Sequence, residues 1–359
     1  MLTLASCGQR SDFSGALVLE DIAQFSDTLL ITKAVPLSSS PSNLLGNYLT
    51  VKYNKDQIWI ADKINLDAIH GFNWKGESLG YVAERGEAPG QIYNLKDFLL
   101  QNDQLVVMSN LGDEIVVYEY GFENSIKSEV QLPFNCFSFV ENGKGGYWLY
   151  SGYNKIAGDY RLRSVNTDGE VLQNLLPNDF NEEMLPLGEA AFFKGNGETL
   201  FKESFKPEVF RMAENEPELK YRLDFGDLTI PAEFWEMEAM PGFEMIDRNG
   251  YANIEFVTEN SAFVVFDIYI QKEGESRKEV VIHNKNTKAS RKIKVERDLN
   301  GYLLTPIGVE DDQLLFISYA PELVRNKRDL KFSDEVFEKV ETVTEDDNPV
   351  IIYVKIPEL

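Results

Sequence analysis

Histidine is close to absent from this chain, whose 359 residues hold only His70 and His283. A metal site built on three imidazoles is thereby excluded, and a Ser-His-Asp triad has just these two bases to draw on. Cysteine is equally scarce, with Cys7 and Cys136 alone, so no disulfide framework is available. Cys136 sits in the apolar run 134–140, where a buried, inert thiol is expected. No stretch of about 18 apolar residues occurs, which excludes a membrane-spanning helix. Positive charge is also in deficit, with 35 Lys and Arg against 59 Asp and Glu for a formal net of −24. A surface of that sign repels phosphate backbones and argues against nucleic acid as a partner. Its simplest role is to keep the protein soluble.

What is abundant is apolar and aromatic, at 43% and 12% of residues, enough for a large core. Six times a polar turn leads into a compact apolar run that closes on a polar residue: Asp56–Asp62, Asp103–Ser109, Gly145–Ser151, Gly197–Glu203, Asn260–Asp267 and Asp312–Ser318. A β-rich unit recurring about every 40 to 60 residues is the signature of a propeller in which each copy is one blade. The expected fold is all-β: a six-bladed β-propeller of four-stranded antiparallel blades. Residues 1–16 read as a signal remnant and tether, and 17–359 as one propeller domain.

Most blades fall into register around the six runs. The innermost strand is expected over Cys136–Glu141 in blade 3, Glu189–Phe193 in blade 4 and Tyr302–Ile307 in blade 6. In blade 5 the third strand is expected over Glu279–Asn284. Blade 6 lacks a fourth strand, and Thr28–Val35 is positioned to supply it, closing the ring by pairing the two ends of the chain and removing exposed edges. Two partly helical insertions interrupt the pattern, at about 227–250 and 321–348. In an up-and-down blade the loop between strands 2 and 3 and the crossing to the next blade emerge on the same face. Both insertions are therefore expected on one face, together with the Gly86–Gln91 loop, and that face is the candidate functional surface.

Several motifs bear on chemistry. Leu4-Ala5-Ser6-Cys7 matches a bacterial lipobox, with small residues before the cysteine that would receive the lipid. Cys7 is the expected lipid-attachment residue, which gives membrane contact through the anchor alone and a location in the cell envelope. Gly76-Glu77-Ser78-Leu79-Gly80 fits the Gly-x-Ser-x-Gly nucleophile pattern, but that pattern works only on a strand-to-helix elbow. Here strand continues through Tyr81-Val82-Ala83, so the match reads as a hairpin turn. Asp97, Glu189, Asn253 and Glu255 fall on innermost strands and are candidates for the channel mouth, either as strand caps or as oxygen ligands for a hard cation. Arg85, Tyr153, Asn154, Lys155, Trp235 and Tyr319 are candidates for ligand contact on the decorated face, where aromatic rings stack on sugars or pack an insertion onto its blade.

Arg85-Gly86-Glu87-Ala88-Pro89-Gly90-Gln91-Ile92-Tyr93 followed by Asp97-Phe98 resembles the glycine-proline-glycine blade junction of NHL-like and TolB-like six-bladed propellers. In particular the chain resembles the propeller lipoproteins abundant in Bacteroidetes. Tyr221–Gly226 with Ile230–Phe234, and Asp347–Val350, match that group as well. The loop departs from the common pattern in having Ala88 for glycine and Gln91 for glutamate. The resemblance implies the fold, a lipid anchor and an envelope location, and it brings no active site. The expected function is an envelope-anchored binding module for a glycan, peptide or protein, with no cofactor. The alternative is a divalent-cation-dependent hydrolase or lyase, lactonase-like, with carboxylates and calcium at the channel mouth.

Overall fold

The computed structural model describes residues 15–359 apart from 27, 64–67, 102, 112–113, 133, 154, 181–188 and 297–303. Cys7, Asn154 and Tyr302 thus lie outside the described residues. Six sheets stand in a ring. Blade 1 comprises Leu49–Tyr53, Gln57–Asp62, Ile69–Asn73 and Ser78–Val82, and blade 2 Leu95–Leu100, Gln104–Leu111, Glu114–Gly121 and Ile126–Leu132. Blade 3 comprises Ser138–Glu141, Tyr147–Tyr150, Tyr160–Val165 and Val171–Pro177, and blade 4 Phe192–Lys194, Thr199–Lys202, Glu208–Met212 and Pro217–Asp224. Blade 5 is built from Ala252–Glu259, Phe263–Lys272, Glu275–Asn284 and Ser290–Glu296. Blade 6 takes Thr305–Glu310, Gln313–Ser318 and Val350–Lys355 from the end of the chain and Leu30–Pro36 from its start. Ile31 pairs with Val354 and Pro36 with Val350, so the ring closes as expected.

The six apolar runs are the second strands, and each is covered by a neighbouring blade on both sides. That is why they read as continuous apolar stretches rather than alternating ones. Apolar clusters fill all six clefts. Trp59 and Ile69 meet Phe98 and Val107 between blades 1 and 2, and Ile60 and Phe72 meet Leu315 and Ile351 between blades 1 and 6. Each such fully buried side chain contributes about 1.5–3 kcal/mol, so the stability of the ring is distributed around it.

Three of the polar residues that close the runs share a structural task. Asp62 accepts from the Gly46 amide at 2.7 Å, Ser109 from the Asn94 amide at 3.2 Å, and Ser151 donates to the Asn135 carbonyl at 2.9 Å. In blade 4 the residue before the closing Glu203, Lys202, reaches Glu189 at 2.9 Å. In these four blades the end of the second strand fastens the chain just before it enters the innermost strand of its own blade. These side chains are buried, and a buried polar group left unpaired would cost about 1–3 kcal/mol.

Some boundaries differ from expectation. The innermost strand of blade 4 begins at Phe192, which leaves Glu189 in the approach to the strand. That of blade 6 runs Thr305–Glu310, because the turn into the next strand is only Asp311-Asp312, with Asp311 at φ 47°. In blade 5 the second and third strands extend to a tight turn at Glu273-Gly274, both at positive φ, so the third strand starts at Glu275.

Both insertions leave the ring on one face. The first carries two short 3-10 turns and helix α1 (Ala239–Asn249), ended by Gly250 at φ 75°, whose amide donates to the Ile246 carbonyl at 3.0 Å. The second starts with helix α2 (Ala320–Asn326) and then runs along the outer edge of blade 6. There Lys331–Phe332 pairs in parallel with Leu30–Ile31, and helix α3 (Asp334–Glu341) packs back along the closing strand. The start of the described chain forms a strap outside the ring. Leu17–Val18 pairs with Leu223–Asp224 of blade 4, Gln24 bridges Lys292 of blade 5, and the closing strand of blade 6 follows.

Candidate functional site on the decorated face

The channel mouth on the insertion face is a ring of alternating charge. Glu189 takes hydrogen bonds from Lys202 and Ser204 at 2.9 Å each and from the Asn253 amide at 2.9 and 2.8 Å. Asn253 in turn accepts from the Phe205 amide at 2.9 Å. Burial of Glu189 raises its pKa, but the Lys202 charge and these bonds outweigh that and hold it below the usual carboxylate value. Glu255 lies 2.7 Å from Lys278, which also meets the buried Asp267 at 2.8 Å. Asp97 accepts from Ser138 at 3.1 Å and from its neighbour's amide, Phe98, at 2.9 Å. Of the four residues expected at the mouth, Glu189 and Asn253 are in direct contact, and Asp97 and Glu255 are held by separate partners. Among the described residues no three His, Cys, Asp or Glu side chains stand together in a way that holds a metal ion.

Facing them from blade 1 are Tyr48 and Lys63, with the ammonium 5.4 Å from the ring centroid. Although solvent reaches both side chains, the protein walls around them thin their hydration, which pulls Lys63 below the usual lysine value against the charges of Asp97, Glu255 and Glu189. The same loss of hydration raises Tyr48, and Glu255 and Glu189 add to the rise. Residues from blades 1, 2, 4 and 5 thus feel one another across the axis. Two β-bulges shape this rim: Lys96 is the extra residue between the pairs of Leu95 and Asp97, and Glu255 that between Ile254 and Phe256. A bulge re-aims the side chains beside it, and these turn Asp97 and Glu255 toward their partners.

Beside the mouth the first insertion is locked down by aromatics. Tyr153, only 1% exposed, packs against Phe180 at 4.9 Å and Trp235 at 5.0 Å between centroids, and Trp235 meets Phe234 at 5.1 Å. The Arg161 guanidinium lies 5.2 Å from the Tyr153 ring and 5.0 Å from that of Phe180, and it pairs with Glu203 at 3.1 Å. Lys206 covers Trp235 at 3.7 Å. Gly242 brings α1 within 3.2 Å of Phe234, measured from the position a Cβ would take. Tyr153 is therefore a packing residue under the insertion, its ring closed to solvent, while Trp235 remains half-buried.

Lys155 donates to the Asn178 carbonyl. Arg85 is exposed and bridges Ile92 through its backbone. Tyr319, half-buried, stands immediately before α2 and accepts from the Leu323 amide at 3.0 Å. These three do not converge with the aromatic cluster. Gln91 has a clear structural role, since its side chain accepts from the Ala88 amide at 3.0 Å and donates to Glu84 at 2.8 Å, holding the loop shut. In Gly76–Gly80 the serine opens the outer strand of blade 1, and Gly76 at φ 85° makes the hairpin turn. His70 and His283 lie on third strands, both buried.

Sequence reasoning did not find Lys63, Lys202, Ser204 or Lys278 at the mouth, nor Arg161, Phe180 and Lys206 around Trp235. The one available signal was position, because Lys202 stands at the end of an apolar run, one residue before the Glu203 that closes it. On the same face, large apolar side chains stand exposed on crossings and insertion: Leu44, Tyr48, Tyr93, Met240 and Phe243. Met240 and Phe243 share one side of α1, three residues apart.

No curated protein matches the chain. Among solved structures it is similar to a protein of Bacteroides fragilis NCTC 9343 inferred to be exported, with 16% identity, 96% of this chain and 99% of that one covered, and a TM-score of 0.77. It is also similar to a member of the DUF4221 family from Bacteroides vulgatus ATCC 8482, with 10% identity, coverage of 92% and 98%, and a TM-score of 0.58. At such identities the likeness establishes the propeller fold alone. A family model described as a domain of unknown function, DUF4934, matches residues 19–355, from the strap to the last strand, and the chain belongs to that family.

Proposed function

We propose that this propeller is a binding module of the cell envelope that presents its insertion face to a glycan, peptide or protein partner. The observation that carries the reading is the contrast on that face. The mouth carboxylates are each held by a lysine, amide or hydroxyl, whereas Met240 and Phe243 stand 69% and 54% exposed on a helix clamped by the Trp235 cluster. A rigid platform that shows apolar side chains to solvent is the arrangement of a recognition surface. The inferred export of the Bacteroides fragilis protein supports an envelope location, and lipid attachment at Cys7 would place the module on a membrane. Substituting Met240→Asp and Phe243→Asp should leave the thermal midpoint in place and weaken binding to envelope glycans or proteins at least tenfold. Unchanged binding by the folded variant rejects the reading. The lipid is tested separately, by fatty-acid labelling that Cys7→Ala should abolish.

The position of Glu189 at the mouth favours a second reading, a calcium-assisted hydrolase or lyase, because its carboxylate offers oxygen ligands there. Under it Glu189→Gln should abolish both calcium uptake and turnover of a lactone, and retention of either rejects it.

A further inference from the structure

On the face opposite the insertions, the cleft between blades 4 and 5 opens into a cavity of about 320 Å³. Its geometry depends on a β-bulge. In the outer strand of blade 4, Tyr221 pairs with Val209 and Leu219 with Phe210, so Lys220 is the extra residue. In a regular strand Lys220 and Tyr221 would point to opposite sides. Here both reach Glu259 of blade 5: Lys220 Nζ donates to Oε1 at 2.5 Å, and the Tyr221 hydroxyl donates to Oε2. Lys285 donates to Oε2 as well, at 3.1 Å, and Lys220 also meets Glu198 at 2.6 Å.

The donors and acceptors of this cavity do not balance. Glu259, with a side chain 0% exposed, already accepts from three donors. Lys220 spends two of its three hydrogens on carboxylates and Lys285 spends one. The Lys288 ammonium, on the hairpin that lines the cavity, has no hydrogen-bonding partner among the described residues. Three ammonium groups thus face two carboxylates in a chain whose net charge is −24. His283 on the same wall adds no charge at neutral pH, since burial first and the Lys288 charge second lower it to about 4. What the cavity lacks is acceptor oxygens and one negative charge.

We propose that this cleft binds a small oxyanion, a molecule of monosaccharide size bearing one carboxylate or phosphate. Its acidic oxygens take the spare hydrogens of Lys285 and Lys288, and its hydroxyls meet Glu198 and Asn196. The size suits it, at the lower end of the roughly 300–1,000 Å³ of ligand pockets. The site lies away from α1 and the channel mouth, so it stands or falls independently of the insertion face.

The test is calorimetric titration of the whole chain with glucuronate, glucose 6-phosphate and glucose. At least one of the two acidic sugars should bind, and the choice between them tells whether carboxylate or phosphate is preferred. Glucose should not bind. Lys285→Gln with Lys288→Gln should weaken the interaction at least tenfold, and added salt should weaken it further. Lys288→Gln alone, at an exposed position, provides a variant that keeps the fold if the double one does not, and it too should lose affinity. The proposal is overturned if neither acidic sugar saturates the protein by about 10 mM, if glucose binds equally well, or if both variants bind as the wild type does.

Discussion

Replacing Glu259 by glutamine tests how the seam between blades 4 and 5 is held. The carboxylate is inaccessible to solvent and accepts from Lys220, Tyr221 and Lys285, its one charge shared between two ammonium groups. Removing one member of a buried ion pair costs roughly 3–5 kcal/mol, because the other is left uncompensated. Glu198 stays 2.6 Å from Lys220 and the amide oxygen still accepts, so the expected loss for Glu259→Gln is about 2–3 kcal/mol. With an unfolding entropy of about 2.1 cal/mol/K per residue, a fully cooperative chain of this length loses roughly 1.3 °C per kcal/mol, or about 3–4 °C by scanning calorimetry.

The pH dependence of that loss has a definite sign. Burial raises the pKa of Glu259, but the bonds from Lys220 and Tyr221 outweigh it and bring the group below its ordinary 4.5. Its contribution is thus fully present above 4.5 and fades as the pH falls through the lower folded value, so the deficit of the variant should shrink in acid. Glu259→Leu combined with Lys220→Leu should be less destabilised than the sum of the single changes, since neither member of the Lys220–Glu259 pair is then left facing a missing partner. A deficit under about 1 kcal/mol at neutral pH, or one that stays constant in acid, would falsify this account of the seam.

Three further outcomes can be checked directly. Asn348 accepts from the Leu45 amide at 2.8 Å and donates to the Ser38 and Asn43 carbonyls at 2.9 and 3.0 Å; Asn348→Ala should cost about 2–3 kcal/mol by denaturant midpoint, and a neutral effect would show that the crossing into blade 1 is held otherwise. Gly76→Ala places a Cβ 2.0 Å from the Pro36 carbonyl oxygen, whereas Gly80→Ala, also at positive φ, meets nothing within 4 Å; the first should destabilise by well over the roughly 1–2 kcal/mol of the second, and equal losses would contradict the tight seating of that turn on the closing strand. Cys136 is fully buried with its thiol pKa pushed up by that burial, so a thiol reagent should modify it only as the protein unfolds; rapid labelling of the native chain would refute this.

The propeller was legible because its strongest signal is doubly buried. A second strand such as Leu105–Met108, apolar at every position and covered on both sides, stands out at any register, as does the polar residue that ends each run. The closing strand followed from counting. The mouth was half legible: Glu189, Asn253, Asp97 and Glu255 could be placed by strand position. Their lysine partners could not, since Lys202 and Lys278 come from second and third strands whose meeting with the rim depends on blade twist. The bulge at Lys220 leaves no trace in sequence, because an extra residue in a strand changes which side a residue faces without changing composition. Tyr153 shows the converse limit. Its ring on an insertion-face loop suggested ligand contact, and only the position of Trp235 above it assigns it to packing.

The strap outside blades 4, 5 and 6 gives the ring a graded response to force. A pull transmitted from the start of the chain meets first the two-residue pairing of Leu17–Val18 with blade 4, then the Gln24 and Lys292 contacts on blade 5. Only after both have given way does tension reach Leu30–Pro36. Releasing residues 15–29 pays out about 50 Å of chain with every blade still intact. The strap is therefore a tear-away length that gives under load on the start of the chain before the circle opens.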